Sequence, residues 1–316
     1  MTSGVTVRYR DCDHSMRRAD SFLSLLVAEA TGSPVEVVDD VRLPVDLQFT
    51  SVQVPLRRKL TLEGGRLAGR ALSRRVPRRD SRWKRENPEP IGNAGAHIWF
   101  TGENVRPPVG SWDGYLSFDL DPLGGRNAYL PLWWHSLGLL GQAGSIFTSV
   151  MPSWEKLIEA RDPGPRRPKF ACAFINNPEP MRLHAVEELK KVGQVDVYGG
   201  AVGRPVPDKA AVAEEYRFVL CFENDIYPGY VTEKPLEAWA TGAIPLWRGA
   251  DPAGYLNHAA MINAANFISL REFIEEVAAL DADPARWAST AAQPIIVKEP
   301  ELDPAKQVVR KALGLT

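Results

Sequence analysis

The sequence predicts an α/β protein built of two Rossmann-like halves, and three observations lead there. Strand-like and helix-like segments alternate from the start. A Pro- and Gly-rich stretch then interrupts the alternation, which restarts over a similar length. With 316 residues, 44% of them hydrophobic, the chain is long enough for two cores of ordinary size.

In the first half, "VTVRY" (5–9) reads as a strand and "ADSFLSLLVAEA" (19–30) as an amphipathic helix. "VEVVDD" (35–40) and "VDLQFTSV" (45–52) read as further strands, as do "AHIWFTGEN" (96–104), "GYLSFD" (114–119) and "AYLPLWW" (128–134). "ARDPGPRRPKF" (160–170) concentrates prolines and a glycine among charges, which is linker chemistry, so the boundary is expected there: one domain over 1–160, the other over 168–316. The second half opens with the strand "KFACAFI" (169–175) and a helix from about Pro180 to Lys191. The strands "QVDVYG" (194–199) and "YRFVLCFE" (216–223) follow, then a helix over 232–241, the strand "AIPLW" (243–247), and helix from "SLREFIEEVAAL" onward. Open sheets of this kind take ligands outside the carboxyl ends of their strands. The ligand is therefore expected in a central cleft that the two halves face.

Composition narrows the function classes. The formal net charge of −1 gives no general attraction to nucleic acid, and none is expected as a partner. Residues 57–85, however, hold twelve Lys and Arg against Glu63 and Asp80, a local excess of ten positive charges. That segment reads either as a solvated basic face or as a patch meeting a membrane surface or an anionic acceptor. Cys12, Cys172 and Cys221 form no CxxC and read as reduced core thiols. No apolar run approaches the ~18–20 residues needed to cross a bilayer, and the N-terminus has no signal-peptide layout. A cytoplasmic chain is expected, with peripheral contact at the inner face of the membrane through 57–85 as one reading.

The densest chemistry lies in "FENDIYPGYVTEKPLEAWATGAIPLWRG" (222–249). Thr232 can cap the following helix, Pro235 falls in its first turn, and Leu236, Trp239 and Ala240 form its buried stripe. Gly242 closes it. Lys234 is out of place, because a cation at a helix N-terminus opposes the helix dipole unless an anion is held there. Glu233 alone would be an ordinary first-turn acid. Together the pair suits a nucleoside diphosphate, lysine on phosphate and carboxylate on ribose. No GxGxxG or GxxxxGK[ST] precedes this helix, and "GGAVG" (199–203) reads as a tight turn.

This run resembles the signature of the α1,3-fucosyltransferases, glycosyltransferase family 10: an FEN triplet, a short spacer, a YVTEK-like run, a helix and a small-residue turn into an apolar strand. "HIWFTGENVRPPVGSWDGYLSFDLD" (97–121) resembles the family's GEN segment, and "INNPEPMRLHAVEEL" (175–189) its asparagine–proline turn and arginine-bearing helix. The blocks lie in the family's order and span roughly 97–249, whereas the first 95 residues match much less clearly. The resemblance implies a GT-B-like fold, GDP-fucose held by the C-terminal domain, an acceptor-binding N-terminal domain, and inverting transfer of L-fucose to a glycan hydroxyl. By the same resemblance Glu103 stands at the general base, and Arg182 and Lys234 at the donor phosphates. Asn224 and Tyr230 would line the donor site, with Glu233 on the ribose hydroxyls. Asp225 and Pro235 depart from the family's usual serine and aliphatic residue. GDP-fucose is a co-substrate, so no cofactor is expected, and Mn²⁺ or Mg²⁺ is not expected to be essential. The acceptor would be an oligosaccharide or a lipid-linked glycan.

Other readings stay open beside this one. A transferase of the same fold could use another GDP-sugar, and a non-catalytic glycan- or nucleotide-binding protein could keep the fold. Asp119-x-Asp121 has the form of a metal and diphosphate site, though "DCD" (11–13) shares the pattern. His97 and His135 lack ligand spacing and read as core histidines. Trp112, Trp133 and Trp134 read as core, with a sugar-stacking platform as the rival.

Overall fold

The computed structural model describes residues 4–12, 16–51, 90, 92–101, 104–137, 139–140 and 153–315. The basic segment 57–85 and Glu103 lie outside the described residues. The described chain divides into two units, each an α/β layer structure around a parallel sheet.

The first unit comprises Met1–Ser117, Leu123–Ala128 and Ala305–Thr316. Its strands are β1 (Val5–Arg10), β2 (Val35–Val37), β3 (Val45–Thr50), β4 (Ala94–Phe100), β5 (Gly114–Ser117) and β6 (Asn127–Tyr129), in the order β2-β1-β3-β4-β5-β6. The pairs β1/β2, β1/β3, β3/β4 and β4/β5 are parallel. Period-two alternation buries Val7, Leu47, Phe49, Ile98 and Phe100 on one face. Helix α1 (Phe22–Thr31) packs on β1 and β2, and the Tyr9 hydroxyl meets Ser24 Oγ at 2.6 Å. Ser21 caps α1 and Gly32, at φ 67°, ends it.

The second unit comprises Phe118–Pro122 and Tyr129–Pro304. Its strands are β7 (Lys169–Phe174), β8 (Val195–Tyr198), β9 (Tyr216–Leu220), β10 (Ile244–Trp247) and β11 (Ile262–Asn263), in the order β11-β10-β9-β7-β8, every pair parallel. Helices α2 (Pro180–Leu189), α3 (Lys209–Ala213), α4 (Lys234–Ala240), α5 (Leu270–Ala282) and α6 (Pro284–Ala292) alternate with these strands or follow them. The core joins Ala171, Ala173, Phe218, Leu220, Ile244 and Leu246 of the sheet to Phe273, Val277, Leu280 and Trp287. The chain steps outward from β7 to β8 on one side and to β9 on the other. The gap between the carboxyl ends of β7 and β9 is therefore the topological switch point.

Three expectations need correction. The stretch read as a strand over 128–134 keeps only the short β6. Pro131, extended at ψ 147°, then starts a 3₁₀ turn over Leu132–Ser136 that packs Trp133 and Trp134 on Tyr255. The Pro-rich stretch 160–168 is not the boundary, because arginines fasten it to the second unit. Arg161 donates from Nε to Ala291 O at 2.7 Å and stacks 4.1 Å from the Trp239 ring centroid. Arg167 donates to Glu214 O and Thr241 O, and Arg166 pairs with Asp281 at 2.8 Å. Finally, the helix α7 (Asp303–Ala312) belongs, from Ala305 on, to the first unit and not to a 168–316 domain. Lys306 pairs with Glu29 at 2.8 Å, Arg310 Nε reaches Ala30 O at 2.6 Å, and Val308 covers Gly114 where a Cβ would not fit.

Candidate functional site

Past β9 the chain runs on buried through Cys221, Phe222 and Glu223. Phe222 joins the core beside Phe273, 5.8 Å between ring centroids. The next residue places a carboxylate there, and the Glu223 side chain is 0% exposed. A carboxylate without partners in such a place would cost several kcal/mol, and four donor groups surround this one. Thr232 gives its N–H to Oε1 at 3.0 Å, and its hydroxyl faces Oε1 and Oε2 at 3.0 and 2.9 Å. Trp247 Nε1, from the end of β10, donates to Oε1 at 3.2 Å. Lys234 Nζ donates to Oε2 at 3.1 Å and to Thr232 Oγ1 at 2.9 Å.

The anion that Lys234 requires at a helix N-terminus is therefore partly internal: it is Glu223. Burial works to lower the Lys234 pKa, but the charge of Glu223, then that of Glu233, and the hydrogen bond to Glu223 outweigh it and hold the ammonium above its ordinary range. Among the described residues two of its three N–H groups are engaged, and the side chain is 27% exposed. Thr232 also departs from its expected role as a simple cap. Helix α4 begins at Lys234 with Glu233 at the N-cap, and the Thr232 hydroxyl turns to Glu223 while accepting from Lys234 N at 3.4 Å. Pro235 sits in the first turn as expected, and Gly242, at φ 86°, follows the helix end.

The second predicted cation comes from the neighbouring strand. After β7 the Asn176–Pro180 turn starts α2, and Arg182 in its first turn is buried. Its Nε and Nη2 both donate to Phe222 O, at 3.0 and 2.5 Å, and Nη1 donates to Asn177 O at 3.3 Å. Burial lowers its pKa and the charges of Glu223 and Glu179 partly restore it. Arg182 and Lys234 thus hang on two consecutive residues, one on the carbonyl of Phe222 and the other on the carboxylate of Glu223.

Of the remaining predicted residues, Glu103 lies outside the described residues, and the others are near this dipeptide in sequence. Asn224 follows it, half-buried. Glu233 is partly exposed, and its side chain does not cap its own helix. Tyr230 is 2% exposed and meets Phe118 edge-on at 5.1 Å, close enough to Arg182 to act on it electrostatically. Gly229 makes that approach possible: at φ 87°, it holds its backbone where a Cβ would lie 2.3 Å from Phe118 O. The sequence reading gave no role to Glu223, Trp247 or the Phe222 carbonyl. A signal was present, since a buried acid after an apolar strand needs a cation and Lys234 needed an anion.

The rival features have their own surroundings. Asp119 accepts from Asp121 N at 3.1 Å, and the Tyr227 hydroxyl lies 3.4 Å from its other oxygen. Among the described residues no group of three His, Cys, Asp or Glu side chains converges as a metal site would. His135 is buried, and burial lowers its pKa to about 3, so it is neutral. Trp112, Trp133 and Trp134 are buried among aromatic neighbours and offer no stacking platform. The three cysteines are buried thiols.

Residues 165–290 match the family described as glycosyltransferase family 10 (fucosyltransferase), C-terminal. The rat 4-galactosyl-N-acetylglucosaminide 3-alpha-L-fucosyltransferase 9 is 34% identical over 140 residues, 43% of this chain and 34% of the relative. The Helicobacter pylori alpha-(1,3)-fucosyltransferase FucT is 26% identical over 207 residues, 57% of this chain and 43% of the relative. The chain thus spans about a third to under a half of the length of these curated relatives. A crystal structure of an alpha1,3-fucosyltransferase with GDP-fucose superimposes with a TM-score of 0.66 at 18% identity, covering 98% of this chain and 90% of that one. That likeness shows the α/β, GT-B-like fold read from the sequence. The stretch that matches the glycosyltransferase family 10 (fucosyltransferase) C-terminal model, residues 165–290, carries Arg182, Glu223 and Lys234.

Proposed function

We propose that the chain is a GDP-fucose-dependent fucosyltransferase that moves L-fucose to a glycan hydroxyl with inversion. The observation that carries this reading is the pairing of Arg182 and Lys234 on one strand end, at the switch point between β7 and β9, inside the family 10 domain. Two cations at that place suit a nucleoside diphosphate, whose negative charge grows as it leaves. Glu233 beside them suits the ribose hydroxyls.

In the proposed transfer, the acceptor oxygen bonds to the anomeric carbon while the bond from that carbon to the β-phosphate oxygen breaks and GDP departs. The acceptor's proton passes to a carboxylate acting as general base. Resemblance assigns that carboxylate to Glu103, which lies outside the described residues. No metal is assigned to the reaction. The acceptor is proposed to be an oligosaccharide or a lipid-linked glycan, with the basic segment 57–85 as a contact to an anionic surface at the inner face of the membrane.

Asp225, where serine is common, supports a second reading in which the donor is another GDP-sugar. Calorimetry with GDP, followed by GDP release from GDP-fucose and GDP-mannose with and without EDTA, separates the two. Binding of GDP with EDTA-insensitive turnover of GDP-fucose is expected. Failure to bind GDP, or a Lys234→Ala variant with near-normal turnover, would overturn the donor-site assignment. Glu103→Gln should keep GDP binding and lose transfer.

A further inference from the structure

We propose that Glu223 is the positioning residue of this site, a buried anchor that holds the Lys234 ammonium charged and in place without itself meeting the donor. The inference rests on the donor-site reading above. It stands on the geometry of the carboxylate. Glu223 has no exposed side-chain surface, and Oε1 is occupied by the Thr232 N–H, the Thr232 hydroxyl and the Trp247 indole. Thr232 lies between two strands in sequence and Trp247 ends β10, so the carboxylate is fixed from two separate segments. Oε2 takes Lys234 Nζ at 3.1 Å and lies 2.9 Å from the Thr232 hydroxyl. A ligand approaching Lys234 meets the ammonium and not the carboxylate behind it.

The same two residues set the other cation, since the Phe222 carbonyl receives two N–H groups of Arg182. The dipeptide Phe222–Glu223 therefore governs the separation of both cations. A side chain with as much torsional freedom as lysine would otherwise give up rotamer entropy each time it bound a phosphate. Holding it beforehand moves that cost from binding into folding.

The groups acting on Lys234 are Glu223, Glu233 and Arg182, with Cys221 behind Glu223. Of these Glu223 contributes most to keeping the proton. Removing its charge while keeping its shape leaves a half-buried lysine opposed by burial and by Arg182, with Glu233 alone in its favour.

The test uses the whole chain and Glu223→Gln. The amine of Lys234 is titrated by competitive acetylation with acetic anhydride from about pH 8 to 11, read by mass spectrometry of the peptide carrying it. This readout needs no donor. In Glu223→Gln the reactivity of Lys234 should rise about tenfold at fixed pH, a fall of about one pKa unit. The alkaline limb of GDP affinity should move down by the same amount. Glu223→Asp, which keeps the charge but shortens the reach, should leave the amine titration near wild type and raise the KM for the GDP-sugar more than it lowers kcat. An unchanged Lys234 titration in Glu223→Gln overturns the proposal, because a merely structural acid would not move it. If that variant does not fold, Thr232→Val serves, and it should shift the titration in the same direction by loosening the carboxylate. If wild type fails to bind GDP while the titration shifts as expected, the donor reading falls and the anchor stands. If GDP binds and the titration stays put, the donor reading stands and the anchor falls.

Discussion

Replacing Lys234 by methionine keeps the length of the side chain and removes its charge. The 3.1 Å contact to Glu223 then vanishes, and a carboxylate with no exposed surface loses the ammonium bonded to it. At an effective dielectric of about 20 the lost attraction is ~332/(20 × 3.1), about 5 kcal/mol. Not all of it will register. Three hydrogen bonds from Thr232 and Trp247 still support the carboxylate, and Lys234, 27% exposed, recovers hydration in the unfolded chain. Breaking one side of a buried pair typically costs ~3–5 kcal/mol, so about 3 kcal/mol is expected for Lys234→Met. Glu223→Gln should cost about 2 kcal/mol, because the amide oxygen can still accept a bond and the ammonium can turn to solvent. The informative quantity is the double variant, in which neither charge remains. It should cost less than the sum of the single changes by about 2 kcal/mol. Urea unfolding at neutral pH, with equal m-values across the four proteins, measures this. Additivity to within about 0.5 kcal/mol would refute the claim that these groups stabilise each other.

Three further outcomes are expected. His135 is neutral in the fold with its pKa lowered to about 3, against 6.5 when unfolded. The stability it permits is therefore present above pH ~6.5 and is lost as pH falls towards 3, by up to ~5 kcal/mol. His135→Leu should flatten that acid limb in unfolding curves taken between about pH 7 and 4, and an unchanged slope would contradict the assignment. Gly229→Ala adds a Cβ 2.3 Å from a backbone oxygen at a left-handed φ, so a loss of about 3 kcal/mol in chemical unfolding is expected, and less than ~0.5 kcal/mol would mean the loop relaxes freely. Arg161→Met removes three bonds to carbonyl oxygens and the stack on Trp239. It should lower the unfolding free energy by about 2 kcal/mol, whereas a flexible linker would tolerate the change without measurable loss.

Much of the fold was legible because period-two burial and helix spacing are local properties. The strands from Val5 to Trp247 fall close to where alternation puts them, and Gly242 ends its helix as expected. Tertiary facts were not legible. Nothing in the composition of 160–168 reveals that its arginines reach carbonyls on Thr241, Ala291 and Glu214. The run at 128–134 carries a strand-like density of apolar residues, but Pro131 breaks the ladder and the tryptophans find their burial in a 3₁₀ turn. At the site, Arg182, Lys234 and Glu233 stood out by charge and position. Glu223 did not, because its importance lies in partners eleven and twenty-four residues further on.

The placement of α7 has a consequence for how the molecule is made. A ribosome synthesises β1 to β5 first, then the whole of the second unit, and only afterwards the helix that packs against Glu29, Ala30 and Gly114. The second unit has all its strands and its core before that point. The earlier-made unit must wait, with an apolar stripe on its surface, until its closing helix emerges. During synthesis the second sheet can therefore finish folding before the first unit is complete.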